Sequence, residues 1–283
     1  MATYNRQNNA VNKSLSAAGL PAIETPPLLT ADQAWMRITK NLKQTIPNIT
    51  SGNSRFYIPP STPGTARWFV AISTRVRGGV PGSHPTWSVF TQAHPDGAWR
   101  AAYSLTPGED SPAADPASPA AEVPPASKLS RDPKNLPEEI FNHYTKHLKG
   151  RDGFAHSIAL DEQLGNGYIA GRQVLGKRGT VLTRKLTGET FPMYTIPTSD
   201  EGVLVFSAER VADELTPARH GGRVSLRARS NDAALSGNPA ELSASRLTIN
   251  RLEMFLTYIP SKASNGRAEV LAYSETATSV HKY

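Results

Sequence analysis

Residues 107–137 read PGEDSPAADPASPAAEVPPASKLSRDPKNLP, and eight of the chain's 23 prolines fall in this run. Proline has no amide donor and a fixed φ, so the run supplies neither a helix interior nor a central strand. Ala, Ser and acidic residues fill the rest, which leaves little to bury. Such a composition gives a solvated, partly extended spacer. The segments on both sides begin with helical periodicity and finish with strand periodicity. The expected fold class is α+β. It comprises two tandem helix-then-antiparallel-sheet domains, 1–106 and 138–283, joined by the Pro/Ala-rich linker 107–137.

A chain of 283 residues has room for two cores of ordinary size. It contains no Cys, which excludes disulfides, thiolate zinc sites and thiol nucleophiles. No apolar run approaches the length of a membrane span, and Met1–Arg6 lacks an apolar signal core. The net charge of +7 is spread over both halves. Nucleic-acid binding shows a clustered basic face instead, so that partner is not expected.

In the first half, Tyr4, Asn8, Val11, Leu15 and Ala18 recur at helical spacing, and Gly19 and Pro21 stop the run. Thr30-Ala31-Asp32-Gln33 fits a capping box that opens a second helix, with Trp35, Ile38 and Leu42 on one face. The period then changes to two. Trp68–Val76, Trp87–Gln92 and Trp99–Leu105 read as strands, the last pair joined at Asp96-Gly97 as a type I′ hairpin. In the second half, Asn135–Glu139 starts a helix whose face is Ile140, Phe141, Tyr144 and Leu148. Phe154–Leu164 reads as another, closed by Gly165-Asn166-Gly167. Strands are expected at 181–185, 191–196, 203–208, 223–229, 247–259 and 268–273.

Several stretches carry a resemblance. Tyr4-Asn5-Arg6-Gln7-Asn8-Asn9-Ala10, Ile23-Glu24-Thr25, Phe56-Tyr57-Ile58-Pro59-Pro60, Arg67-Trp68-Phe69-Val70 and Trp99-Arg100 are similar to an uncharacterised family of actinobacterial extracytoplasmic lipoproteins. So are Val203-Leu204-Val205-Phe206 and Phe255-Leu256-Thr257-Tyr258-Ile259-Pro260 in the second half. The resemblance implies an extracytoplasmic location and a lipid anchor on the full-length precursor. It implies no activity. The element order is also similar to a cystatin-like roll, which would wrap a curved sheet around a helix.

The candidate chemistry is sparse. His143 and His147 stand at i and i+4, but no third ligand is implied, so no metal is expected. Glu24 and Asp32 are the acids nearest the first-half helices. Asp32 reads as a first-turn dipole charge, and Glu24 as a surface residue. The four tryptophans read as core. Arg223, Arg227 and Arg229 form the one clear basic row, on a strand whose other face is apolar. They are the candidate binding residues, with an anionic envelope polymer, lipid headgroups or another envelope protein as partner.

The reading taken from the sequence is a non-catalytic cell-envelope binding or scaffold protein needing no cofactor. The alternative is a small-molecule binder or isomerase-like enzyme with an apolar pocket inside a cystatin-like roll.

Overall fold

The structure, a computed structural model, describes residues 1–60, 65–108, 115–146, 153–237, 240 and 242–283. The middle of the spacer (109–114) and His147 lie outside the described residues.

Helix α1 (Ala2–Ser14) ends where Leu15 turns left-handed at φ 47°. Its buried face is Asn5, Asn8 and Asn12 rather than an apolar stripe. Asn5 and the neighbouring Asn9 dock strand β1 (Ile49–Tyr57). Asn9 donates to the Ile49 carbonyl at 2.8 Å and accepts from its amide at 2.8 Å, while Asn5 donates to Ser51 Oγ at 3.0 Å. An amide side chain carries the same donor and acceptor as a peptide, so it satisfies an edge strand as a neighbouring strand would.

Helix α2 (Leu28–Asn41) starts earlier than the capping-box reading, with Pro27 at its N-cap and no side-chain cap. Asp32 is therefore beyond the first turn. Strands β2 (Arg67–Arg77), β3 (Val80–Gln92) and β4 (Arg100–Leu105) complete an antiparallel sheet of order β1-β2-β3-β4. The β3–β4 connection is not a two-residue type I′ turn, since pairing stops at Thr91–Arg100. Gly97 donates to the His94 carbonyl at 2.9 Å. Pro95 thus sits at the second turn position, where its fixed φ favours an ordinary turn with Gly last.

After the spacer, α3 (Leu136–Lys146) buries Leu136, Ile140, His143 and Tyr144. A helix of π pitch (Ile158–Asn166) then runs directly into α4 (Gly167–Lys177). Gly165-Asn166-Gly167 does not close it, because Asn166 and Gly167 both stay right-handed (φ −65° and −60°). Strands β5 (Thr180–Thr190), β6 (Tyr194–Pro197), β7 (Val203–Pro217), β8 (Val224–Leu226), β9 (Leu242–Ala244), β10 (Leu247–Ile259) and β11 (Glu269–Lys282) follow, with α5 (Asn231–Leu235) between β8 and β9. They make a sheet of order β11-β10-β7-β5, with β6 also on β7, and a separate β8–β9 ribbon.

The α+β class holds, but the cystatin-like roll does not. Both main sheets are open, running from one edge strand to another, and neither curls around a helix. The larger sheet is instead covered on two faces. On β7 and β10, Leu204, Phe206, Leu252, Met254 and Leu256 join a core with Val70, Val89 and Tyr103 of the first sheet. The alternate residues Val203, Val205, Phe255 and Ile259 pack under Leu136, Ile140, Tyr144 and Leu160. Period-two alternation places the two sets on opposite faces, so the chain reads as two helix-and-sheet regions sharing one apolar interface.

The described parts of the spacer hold no strand or long helix, only short 3-10 turns at Ala126–Lys128 and Pro133–Asn135 before α3 begins at Leu136, and they are tied down. Ala117 donates to the Pro197 carbonyl at 2.8 Å and Gly108 to Leu271 at 3.1 Å, and Leu129 is fully buried.

Candidate functional site

The helix-covered face of the larger sheet carries a row of charges. Arg184 (β5), Glu209 and Asp213 (β7), Arg251 and Glu253 (β10) and Glu275 (β11) lie side by side through the strand registers Arg184–Asp213, Glu253–Glu209 and Glu253–Glu275. Arg184 takes both Asp213 oxygens, at 2.6 and 2.8 Å, and reaches Glu253 at 2.9 Å and Glu275 at 3.2 Å. Arg251 holds Asp213 at 2.7 Å, Glu275 at 3.1 Å and Asp232 of α5 at 3.0 Å. The Arg184 guanidinium also lies 5.1 Å from the Tyr168 ring centroid.

Burial sets the protonation states. It alone would raise the Asp213 carboxyl, but the hydrogen bonds and charges of Arg184 and Arg251 hold it below its ordinary value. Glu253 is brought up to about 7 by burial, against the pull of Arg184. Glu209 lies directly opposite and is pushed well above the carboxylate range, first by burial and then by the Glu253 charge. No donor among the described residues reaches either Glu209 oxygen, and its own proton is shared with Glu253.

Above this network a cavity of about 350 Å³ opens between the sheet and α4. Its floor is Arg184, Asp213, Arg251 and Glu275, with Asp232 and Tyr273 at the sides. Three carboxylates thus face two guanidinium groups, a surplus of one negative charge. The roof is α4, which presents Gly167 and Gly171, one turn apart and therefore on one face. A Cβ at either position would meet nothing within 4 Å. Glycine inside a helix is worse than Ala by about 0.5–1 kcal/mol, and here two of them keep the space open. A wider gap of about 670 Å³ lies between the spacer and the turn after β6. Its walls hold no buried charge.

The chain matches, over residues 1–282, the family described as a domain of unknown function (DUF8094). It belongs to the DUF8094 family. The match runs through both halves and the spacer as one unit. No curated protein and no solved structure matches the chain.

In this DUF8094 chain the residues singled out from the sequence are placed as follows. Strand β8 covers only Val224–Leu226, so the expected row ends early: Arg227 follows the strand and Arg229 sits in a turn at φ 59°. Arg223 and Arg227 line one cleft, joined there by Arg178 from the end of α4, and Arg229 is not part of it. His143 is buried rather than solvent-facing, with Nε2 3.2 Å from Asp161. Among the described residues no group of three or more potential ligands could hold a metal ion, and no helix is long and apolar enough to cross a membrane. Trp35 and Trp99 are exposed, whereas Trp87 is core.

Glu24 is fully buried, contrary to the surface reading. Segment 23–25 adds to β4 through Thr25 N to Ala101 O (2.9 Å) and Ala101 N to Ile23 O (2.8 Å), which turns Glu24 inward to Tyr4 (3.2 Å). Burial, then the Asp32 charge, raises its carboxyl to about 9. A raised folded-state value means the native state holds a proton that the unfolded state releases. The resulting stability is full below about pH 4.5 and is lost as pH rises to about 9. Glu209 and Glu253 act in the same direction. The melting temperature is therefore expected to fall from pH 5 to pH 9. Glu24→Gln, which mimics the protonated acid, should flatten that fall by the equivalent of at least ~1 kcal/mol, since one pKa unit is worth about 1.4 kcal/mol. A Glu24→Gln variant as pH-sensitive as wild type would contradict the assignment.

The charged face was missed in the sequence because Arg251 and Glu253 alternate with Leu252 and Met254, the pattern of a solvated strand. The available signal was the number of such strands. Four of them, β5, β7, β10 and β11, in a half with helices needing a face to cover, carry charges at matching positions.

Proposed function

We propose that this DUF8094 chain is a non-catalytic binding protein of the cell envelope, and that the cavity under α4 holds a small molecule through a cationic group. The observation that carries the reading is the floor itself, where three ion-paired carboxylates outnumber two arginines in a partly enclosed space. Carboxylates brought out of water next to an open cavity favour an ammonium or guanidinium group there. Tyr168 and Tyr273 on its walls add aromatic faces of the kind that attract cations. The lining acids are engaged by arginines, and Asp213 is held ionised, which favours a recognition role over proton transfer. Glu253, whose carboxyl does titrate near neutrality, does not line the cavity. The envelope location, a lipid anchor on the full-length precursor and an actinobacterial origin rest on the sequence resemblance given above.

A panel of propylammonium, phenethylammonium and agmatine, against neutral alcohols and carboxylates of similar size, tests the reading by thermal shift. A ligand that binds only the native state raises the melting temperature. The cations are expected to do so and the controls not. Gly171→Leu, which places a side chain in the cavity without touching a charge, should abolish the shift while the protein stays folded. Equal shifts from cations and carboxylates, or a Gly171→Leu variant that responds like wild type, would refute it.

A further inference from the structure

We infer that a second site, independent of the cavity under α4, takes a phosphate group. The place is a cleft of about 380 Å³ where the end of α4 meets the β8–β9 ribbon. Arg178, Arg223 and Arg227 reach it from three points of the chain, with Thr180 and Ser225 between them. Among the described residues no acidic side chain lines it. Three guanidinium groups and two hydroxyls without a carboxylate match the charge and the acceptor-rich surface of a phosphate better than a single carboxylate, which one arginine already neutralises.

The cleft is also partly organised in advance. Arg223 donates from Nε to Ser243 Oγ at 3.0 Å and from Nη2 to the Ser243 carbonyl at 2.9 Å, which fixes its side chain and leaves Nη1 for a ligand. Arg178 and Arg227 are exposed and take part in no ion pair among the described residues. A helix C-terminus would ordinarily repel an anion through its free carbonyls. Here the Leu175 and Gly176 carbonyls accept from Arg178 and Gly179, each at 3.0 Å, so they are already satisfied. The cleft shares Leu175 and Leu226 with the cavity as a common wall, but none of its charged residues.

The test uses the full chain at 50 mM salt with three probes: inorganic phosphate, glycerol phosphate, and vesicles of phosphatidylglycerol against phosphatidylcholine. Binding of the two soluble probes alone would identify a phosphate ester in solution, and added binding to the anionic vesicles a lipid headgroup. Both outcomes support the site. The Arg178→Ser/Arg227→Ser pair should weaken binding at least tenfold, and raising salt to 250 mM should weaken it several-fold, as screening of exposed charges requires. Arg229→Ser removes the same charge outside the cleft and should leave binding unchanged, as should Gly171→Leu. The inference is overturned if no probe binds at 50 mM salt, if the double variant binds as wild type does, or if Arg229→Ser or Gly171→Leu is as damaging as the pair.

Discussion

Arg184→Met is expected to cost the fold about 3–5 kcal/mol at pH 7, the range seen when one partner of a buried ion pair is removed. Arg184 is only 6% exposed, and among the described residues it is the one cation that touches Asp213, Glu253 and Glu275 together. Methionine fills similar space but leaves three carboxylates facing one another with Arg251 alone. Their escape is protonation, so the variant should recover part of its stability at pH 5. Replacing Asp213 by Leu in the same chain should also restore part of it, because the surplus charge goes with it. Chemical denaturation at both pH values reads these differences. A loss under about 1 kcal/mol, with no recovery at pH 5, would show that the network contributes little.

Separating the halves is expected to have a still larger effect. Expressed alone, 1–106 and 138–283 should each lack a cooperative unfolding transition, and together they should associate. A nick in the spacer should leave them bound. The reason is that Val70, Val89 and Tyr103 find their packing partners on Leu204, Phe206 and Leu252. Helix α2 also reaches across, with Arg37 donating to the Thr278 carbonyl at 2.8 Å and Asn41 to Ala234 at 2.7 Å. Within the intact chain, Phe206→Ala should cost about 3–5 kcal/mol, the usual loss for a buried aromatic. Size-exclusion chromatography and thermal unfolding of the separate halves decide the matter. Two monomeric halves with sharp transitions would mean that the shared interface is dispensable and that the spacer is a simple tether.

Much of the fold could be read from residue patterns, because it follows from period and punctuation. Strands β2, β4 and β10 and helix α3 stand close to where alternation, helical spacing and Asn-Leu-Pro placed them, while β3 begins seven residues earlier, at Val80. The errors have local causes. The face of α1 read as Tyr4, Asn8, Val11 and Leu15 is right in part, since Tyr4 and Val11 pack on the core and Asn8 is buried, but Asn5 and Asn9 also dock the helix through hydrogen bonds that no hydrophobic pattern records. The roll was inferred from element order, yet order alone does not say whether a sheet curls, and the apolar runs of β7 and β10 on both faces already implied a doubly covered sheet. The candidate site was less legible. Arg223 and Arg227 were found as a basic row, but Arg178 comes from a distant helix end, and only tertiary packing brings it to them. Arg184 lay in the ordinary-looking run Val181–Lys185. Its role depends on strand register, which sequence specifies only through partners not yet known.

The most direct test of the account is an amide NMR titration of the full chain with phenethylammonium at pH 7. The cavity reading predicts shifts concentrated at Gly171, Leu175, Asp232 and Ile249, which saturate together and disappear in Gly171→Leu. Shifts that avoid these residues, or that persist in Gly171→Leu, would contradict it.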